Sequence, residues 1–140
     1  MARIIYNGKI EGNFDGFNDN VIFKMADGTY WMQSEYKYWY HYEYRPDAVI
    51  TEEKGVFILT VAGESVAIKQ LRDVIESTIN GTFDGWKGGS TYKLTNGQVW
   101  QQCRYKYDYK NAYRPQVVVG NMNGEYLMFV EGTYAVVRRV

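Results

Sequence analysis

The amino-acid sequence contains two matching segments, and this internal repeat constrains the fold more than any other feature. Residues 10–71 align with residues 79–140 without a gap, at a constant shift of 69 positions. Extended backwards, the alignment predicts two domains, residues 3–71 and residues 72–140. The identical matched pairs include Gly12/Gly81, Phe14/Phe83, Asp15/Asp84, Gly16/Gly85, Trp31/Trp100, Gln33/Gln102, Tyr38/Tyr107, Tyr40/Tyr109, Arg45/Arg114 and Pro46/Pro115.

Each repeat has the residue pattern of an all-β domain. Asp27-Gly28 and Asn96-Gly97 stand at matched places and suit the two positive φ values of a type I′ hairpin turn. Between such turns apolar residues alternate with period two, as at Phe57, Leu59 and Val61. The pattern predicts strands, repeated 69 positions later, near residues 10–15, 21–26, 29–37, 47–52, 56–61 and 65–71.

Five or six short strands in such a small unit are typical of a strongly bent barrel. The predicted fold is therefore all-β, with two tandem small SH3-like barrels. A unit of this size buries only a marginal core, so we expect the two to pack into one compact body. A short helical turn is expected only around Asp73–Ser77.

Three motifs of the second repeat carry a resemblance to known sequences. They are INGTFDGW (79–86), YKLTNGQVWQQ (92–102) and YKYDYKNAYRP (105–115). They resemble a tandem SH3-like repeat found in small uncharacterised bacterial proteins, some of them on mobile gene cassettes. The first repeat fits less well, because Asp19-Asn20 replace Gly-Gly and Met32 replaces a glutamine. The resemblance covers nearly the whole chain and implies an SH3-like fold without an established activity.

Nine of the 14 tyrosines lie in two matched tracts. From Tyr36 to Tyr44 every second residue is a tyrosine, so an extended backbone places five rings on one face. In the second tract, residues 105–113, the same alternation holds, except that Asn111 takes the place of one tyrosine. A straight strand over residues 29–44 would be roughly 50 Å long, which a small barrel cannot hold. The strand must bend, bulge or leave its barrel.

Two interpretations of the tracts stay open. The rings can form the core and the seam between the repeats, because tyrosine combines a large apolar ring with a hydroxyl that can stay in water. They can instead form an exposed stacking surface for peptides, sugars or unpaired bases. The solvent exposure of the rings in the folded protein distinguishes the two.

The net charge of zero is the sum of two opposite values. The first repeat carries −3 and the second carries +3. In the second repeat basic residues alternate with tyrosines, a pattern that suits a single-stranded nucleic acid; they are Arg104, Lys106, Lys110 and Arg114. Docking of the negative repeat on the positive one, or solvation of the charges, explains the same pattern and is the favoured interpretation.

Few residues suit catalysis or metal binding. One histidine, His41, and one cysteine, Cys103, cannot form a His/Cys metal cluster or a disulfide within one chain. Asp15 and Asp84 of the Phe-Asp-Gly motif are interpreted as turn caps. The sequence shows neither a nucleophile–base pattern nor a phosphate-binding glycine loop. We therefore expect no enzymatic activity and no cofactor.

Other matched residues have structural interpretations. Gln33 and Gln102 are predicted to be buried amides that satisfy strand backbone. Arg45 and Arg114 precede proline, which predicts an extended backbone at both. Their guanidinium groups are candidates for stacking on tyrosines or for anion binding. Cys103 matches a serine of the first repeat and is expected to pack as a small residue.

The sequence predicts a non-enzymatic binding protein that holds a peptide or protein segment on a tyrosine-rich face. The predicted ligand-binding residues are Trp39, Tyr40 and Tyr42 in the first repeat and Tyr107, Tyr109 and Arg114 in the second. The alternatives are single-stranded nucleic-acid or RNA binding by the second repeat, carbohydrate binding, and a structural role that includes homo-oligomer formation. No signal peptide or spanning segment is evident in the sequence, so we expect a cytoplasmic location and no membrane partner.

Overall fold

The computed structural model describes residues 2–140 and shows an all-β protein. None of these residues lies in a helix, and the described chain therefore has no helical segment able to cross a membrane. The chain divides into two compact units, one ending at Leu71 and the other comprising Arg72–Val140.

The first unit is built from antiparallel strands. They are β1 (Arg3–Lys9), β2 (Asn13–Phe17), β3 (Ile22–Lys24), β4 (Tyr30–Gln33), β5 (Trp39–Tyr44), β6 (Asp47–Glu53), β7 (Val56–Val61) and β8 (Glu64–Thr78), of which residues 64–71 belong here. The main sheet has the order β1-β6-β7-β8-β4-β3, while β2 pairs with β5. An isolated bridge between Ile10 and Met25 joins the chain just beyond β1 to the chain just beyond β3.

The second unit has the same pattern of pairing. Its strands after β8 are β9 (Thr82–Phe83), β10 (Thr91–Lys93), β11 (Val99–Gln102), β12 (Ala112–Tyr113), β13 (Gln116–Met122), β14 (Glu125–Val130) and β15 (Thr133–Arg139). The strand order of its main sheet is β8-β13-β14-β15-β11-β10, in which residues 72–78 of β8 form the first strand. The short strands β9 and β12 pair with each other. A bridge between Ile79 and Leu94 lies 69 positions after the bridge of the first unit.

Each unit has its own hydrophobic core. The first core includes Ile10, Phe14, Phe17, Phe23, Trp31, Ile50, Leu59 and Val61, and the second includes Ile79, Phe83, Trp86, Tyr92, Trp100, Val119, Met128 and Val130. Burial of such side chains contributes about 1.5–3 kcal/mol each. The predicted alternation on β7 is confirmed, because Leu59 and Val61 are buried and Phe57 packs against the same core.

The structure differs from the predicted helical turn and from the predicted extent of one strand. The helical turn expected around Asp73–Ser77 is wrong, since these residues lie in β8 and pair with β13. Pairing with a strand distant in sequence therefore overrides the local pattern. The strand expected over residues 29–37 ends at Gln33, and β5 begins at Trp39. This interruption lies where the length of the pattern requires a bend.

The hairpin turns are of two kinds. Lys54-Gly55 and Asn123-Gly124 have both φ values positive, as in a type I′ turn. Asp27-Gly28 and Asn96-Gly97 do not, because only the glycine of each pair has a positive φ. The type I′ prediction is wrong for these two turns. At the first of them the Thr29 N–H donates a hydrogen bond of 3.0 Å to the Asp27 carboxylate, which stabilises a longer turn.

The glycines of the Phe-Asp-Gly motif lie against the backbone of the tyrosine tracts. Gly16 and Gly85 have φ values of +99° and +100°. A Cβ atom on Gly16 would lie 1.9 Å from the carbonyl oxygen of Trp39, and one on Gly85 would lie 2.1 Å from that of Asp108. Only glycine fits, because both the φ value and the space exclude a side chain.

We expect Gly16→Ala to lower the free energy of unfolding by about 3 kcal/mol or more, since it combines backbone strain with a clash against backbone. Gly12→Ala is the matched control, because Gly12 also has a positive φ but a Cβ there meets nothing within 4 Å. It should cost about 1–2 kcal/mol. Urea unfolding followed by tryptophan fluorescence measures both. Equal losses would contradict the role of the close contact.

Candidate functional site

All nine tyrosines of the two tracts are exposed to solvent. The exposed fraction of the side chains ranges from 58% at Tyr42 to 82% at Tyr105. The interpretation of these rings as core is therefore wrong, and they form a row on the surface of each unit. The rings are those of Tyr36, Tyr38, Tyr40, Tyr42 and Tyr44 in the first unit and Tyr105, Tyr107, Tyr109 and Tyr113 in the second.

The alternate residues of the first tract face the unit. Trp39 is half-buried and packs against the core, with its ring centroid 5.1 Å from that of Phe17. Its ring stacks on His41 at 4.9 Å, and His41 Nε2 lies 3.0 Å from a carboxylate oxygen of Glu43. Trp39 thus lies on the face opposite Tyr40 and Tyr42, as the alternation predicts, and is less accessible than the two tyrosines that share its predicted ligand-binding role.

Two matched lysines hold the tracts to the strands beneath them. Lys37 Nζ donates a hydrogen bond of 2.8 Å to the carbonyl oxygen of Ser65. Lys106 Nζ donates one of 2.6 Å to the carbonyl oxygen of Tyr134 and lies 4.5 Å from the centroid of that tyrosine ring. The lysines between the tyrosines therefore help to fix the backbone of each tract.

A buried glutamine holds the start of the second tract. Gln102 is 2% exposed, and its Nε2 donates hydrogen bonds to the carbonyl oxygens of Arg104 (3.1 Å) and Lys106 (2.9 Å). Its Oε1 accepts from the backbone N–H groups of Lys87 (3.2 Å) and Gly88 (2.9 Å). One side-chain amide thus connects two loops through four hydrogen bonds to backbone groups.

Gln33 has the same role in the first unit. It is 1% exposed, and its Oε1 accepts from the Asn18 N–H at 3.0 Å. Its Nε2 donates to the carbonyl oxygens of Asn18, Glu35 and Lys37. The prediction that these glutamines are buried amides satisfying backbone is confirmed.

A groove of about 440 Å³ lies beside the first tract. Its apolar lining includes the buried rings of Phe14, Phe17 and Phe23. The exposed rings of Tyr38 and Tyr40 line the same groove, together with Asp15 and Asn18. The groove therefore combines aromatic surfaces with a carboxylate and an amide.

The two aspartates of the Phe-Asp-Gly motif have different surroundings. Asp84 Oδ2 lies 2.7 Å from Lys87 Nζ. The hydrogen bond from Lys87 lowers the pKa of the Asp84 carboxyl, and the same bond raises the pKa of the Lys87 ammonium. Within residues 2–140, no hydrogen bond or ion pair engages the Asp15 carboxylate. The predicted capping of a turn is thus absent at Asp15, and Asp84 instead pairs with a lysine.

Three of the four basic residues in and beside the second tract have partners in their own unit. Arg104 pairs with the carboxylate of Glu125. Arg114 Nη1 donates a hydrogen bond of 3.3 Å to Asn80 Oδ1. Lys106 binds a backbone carbonyl oxygen, as described above. These side chains are less available to phosphate groups than their positions in the sequence indicate.

The two arginines before proline adopt an unexpected backbone conformation. Arg45 and Arg114 have φ values of +49° and +48°, so the prediction of extended backbone is wrong. Their N–H groups donate hydrogen bonds to the carbonyl oxygens of Gly12 (2.8 Å) and Gly81 (2.7 Å), which favours this conformation. The guanidinium group of Arg45 pairs with Glu11 at 3.1 Å.

Cys103 is exposed, so the expectation that it packs as a small residue is wrong. It lines a second cavity, of about 600 Å³, together with Arg104, Tyr105 and Arg138. Over residues 2–140, no group of three His, Cys, Asp or Glu side chains is placed to hold a metal ion.

Of the residues predicted to bind a ligand in the first unit, one lines the groove, and the groove also has lining residues outside that prediction. Tyr40 lines the groove, whereas Tyr42 lies further along the tract and its hydroxyl donates to Asn13 Oδ1 at 3.3 Å. Tyr38 and Asp15 line the groove but were not named as ligand-binding residues. The alternation of tyrosines could have indicated that Tyr38 belongs to the same surface as Tyr40. For Asp15, the only sequence signal was its place in the repeated Phe-Asp-Gly motif.

We expect Gln102→Leu to lower the free energy of unfolding by about 3 kcal/mol or more, because two N–H groups and two carbonyl groups lose their partner. It should also speed hydrogen exchange of the amides in residues 103–107. Gln101→Leu is the control, since that side chain bonds Gly89 and Arg138 near the surface. A comparable loss of stability in both variants would contradict the bridging role of Gln102.

The Asp84–Lys87 pair gives a pH-dependent prediction. Since Lys87 lowers the pKa of Asp84 from its ordinary value of 3.8, the stability that this pair contributes is present above that value. It is lost as the pH falls through the lower pKa of the folded state. In Lys87→Asn the pKa of Asp84 should rise towards 3.8, as followed by the NMR shift of its carboxyl carbon. An unchanged pKa would argue against this pair in solution.

Comparisons with protein-family models, with curated proteins and with solved structures find no match for this chain. The resemblance to a tandem SH3-like repeat therefore stays a prediction.

Proposed function

We propose that this chain is a non-enzymatic binding protein that holds an extended peptide or protein segment on its tyrosine-rich surface. This name refers to the tyrosines 36–44 of the first unit together with the groove beside Tyr38 and Tyr40. The exposure of the row, 58–70% for each ring, is the observation that carries the proposal. Tyr107, Tyr109 and Arg114 are the equivalent residues in the second unit.

Hydrogen bonds and packing hold the backbone that carries the exposed tyrosines of the first unit. Gln33 and Lys37 hold the tract through hydrogen bonds to backbone, and Trp39 packs against the core beneath it. The conformational entropy of ordering the backbone of this tract has thus been lost on folding, which leaves less to lose when a ligand binds. Exposed tyrosines on an ordered backbone are typical anchors of protein interfaces.

The spacing of the rings supports an extended polypeptide as ligand. Within β5, side chains two residues apart, such as those of Tyr40 and Tyr42, are separated by about 6.6 Å along the strand. Alternate side chains of an extended peptide repeat at the same distance, so they can lie between successive rings. The groove volume of about 440 Å³ is in the range usual for ligand sites.

We also propose that each unit is a small SH3-like barrel. The strand order of the first unit runs from β1 to β3, and the bridge between Ile10 and Met25 connects its two ends. Two backbone hydrogen bonds support this connection, from Glu11 N–H to Lys24 (2.7 Å) and from Ala26 N–H to Lys9 (2.9 Å). The second unit has the matching bridge.

Nucleic-acid binding by the second unit has less support. Its cations would have to leave the carboxylate of Glu125, the carbonyl oxygen of Tyr134 and the amide oxygen of Asn80 before they could bind phosphates. Binding of a nucleic acid would weaken steeply with salt, which distinguishes it from binding of an apolar peptide.

We expect a Tyr40→Ala/Tyr42→Ala variant to bind peptides selected on the wild-type protein from a random display library about 10–100-fold more weakly. Ile4→Ala/Val56→Ala is the matched control, because these side chains are also apolar and exposed (62% and 53%) but lie outside the tracts. Fluorescence titration measures the affinities, and thermal unfolding checks that both variants remain folded.

Four results would count against peptide binding at this surface. If the selection yields no peptide, or if both variants bind alike, the proposed function fails. A steep salt dependence together with capture of oligonucleotides would favour the nucleic-acid alternative. A change in sedimentation of the tyrosine variant without a change in peptide binding would favour a role in oligomer formation.

A further inference from the structure

The second unit contains an ammonium group held beside its tyrosine tract. Lys87 Nζ lies 2.7 Å from Asp84 Oδ2, and both side chains are about half exposed, at 49% and 52%. The adjacent Trp86 forms an isolated β-bridge with Asp108, the residue between Tyr107 and Tyr109, so Lys87 lies next to this part of the tract. The hydrogen bond to Asp84 raises the pKa of the Lys87 ammonium, and Tyr107 and Tyr109 add smaller effects in the same direction.

The first unit has the same surroundings without the lysine. The constant shift of 69 positions matches Asp84 with Asp15, and it matches the two tyrosines with Tyr38 and Tyr40. All three of these residues line the groove of the first unit. Asn18 stands at the position of Lys87 and also lines the groove. The carboxylate and the rings are therefore kept, and the cation is replaced by an uncharged amide.

The other charged groups at this groove do not replace the missing ammonium. Among the described residues, Asp15 has no hydrogen-bond or ion-pair partner. Glu11 is paired with Arg45 at 3.1 Å, and Lys24 Nζ lies 5.5 Å from the centroid of the Tyr30 ring. The net charge of −3 on the first repeat further favours the approach of a cation.

The apolar floor also differs between the units. Trp86 and Tyr92 occupy the positions that Phe17 and Phe23 hold in the first unit, and all four side chains are buried. The hydroxyl of Tyr92 donates a hydrogen bond of 3.0 Å to the carbonyl oxygen of Gly85. The first unit has smaller rings at both positions, and its groove has room for the aliphatic part of a long side chain.

We propose that the groove of the first unit binds the side chain of a lysine in the partner segment, with its ammonium between Asp15 and the rings of Tyr38 and Tyr40. Lys87 fills the matched site of the second unit from within the chain. A carboxylate and aromatic faces attract an ammonium by a charge-assisted hydrogen bond and by cation–π interaction. The inference rests on the proposed function and narrows it. Only the site of the first unit can accept a side chain from outside, and the bound peptide segment must contain a lysine.

The first experiment uses a minimal probe, Nα-acetyl-lysine methylamide, with Nα-acetyl-norleucine methylamide as its uncharged control. Each is titrated into the full chain while NMR follows the ring signals of the tyrosines and the side-chain amide of Asn18. We expect the lysine probe to shift the signals of Tyr38, Tyr40 and Asn18. The norleucine probe should shift them at least about tenfold less at equal concentration, because it lacks the charge.

Two reciprocal variants exchange the matched residues. Asn18→Lys should abolish the response of Tyr38 and Tyr40, because the new side chain occupies the site as Lys87 does. Lys87→Asn should add a second set of responding signals, those of Tyr107 and Tyr109. Both positions lie in exposed loops, and the amide spectrum of each variant shows whether it is folded. Asp15→Asn, which keeps the size of the side chain, tests the carboxylate independently.

The outcomes separate this inference from the proposed function. If the two probes act alike, or if no signal of the groove responds, the ammonium site is overturned while peptide binding at the tyrosines can still hold. It is also overturned if Asn18→Lys leaves the response unchanged. If the lysine probe binds as expected but no peptide is captured, the site stands as one for small ammonium compounds and the proposed function fails.

Discussion

The surface of this protein depends on the hydrogen bonds of two buried amide side chains. Between Gln33 and Trp39 the first tract has left the strand ladder, so its backbone groups need partners from elsewhere. Gln33 supplies them, and Gln102 does so in the second unit. Each backbone group left unpaired in a buried place would cost about 1–3 kcal/mol. The amide therefore permits a segment without regular pairing to keep one conformation, and the tyrosine rings depend on that conformation for their position.

A chain with alternating side chains must direct one set inward and the other outward. In the first tract the inward set is Trp39 and Lys37, which bury an aromatic ring and satisfy a carbonyl group. The outward set is then the row of tyrosines. Tyrosine tolerates this exposure better than phenylalanine would, because its hydroxyl remains hydrated while its ring faces are open to a ligand. The exposure of the row is thus a direct consequence of what its neighbours bury.

Local patterns predicted those features that depend on nearby residues. The all-β class, the alternation on β7 and the buried glutamines follow from period and residue type. The exposure of the tyrosines could not be predicted, because a period of two shows which rings share a face and not which face is covered. Pairing with β13 overrode the local pattern at Asp73–Ser77, and a hydrogen bond to Gly12 overrode the effect of proline at Arg45. The groove joins Asp15 to Tyr40 across two strands, and such proximity depends on the tertiary fold.

The ion pair between Asp84 and Lys87 makes the two units chemically unequal at matched positions, because Asn18 stands where the second unit has Lys87. Asparagine and lysine codons differ only in their third base, so one point mutation separates the residue at position 18 from the residue at position 87. A change of this kind alters the charge beside one aspartate and leaves the core and the tyrosines of both units as they are. A single nucleotide is therefore enough to give two units with the same strand pairing a different charge at this position.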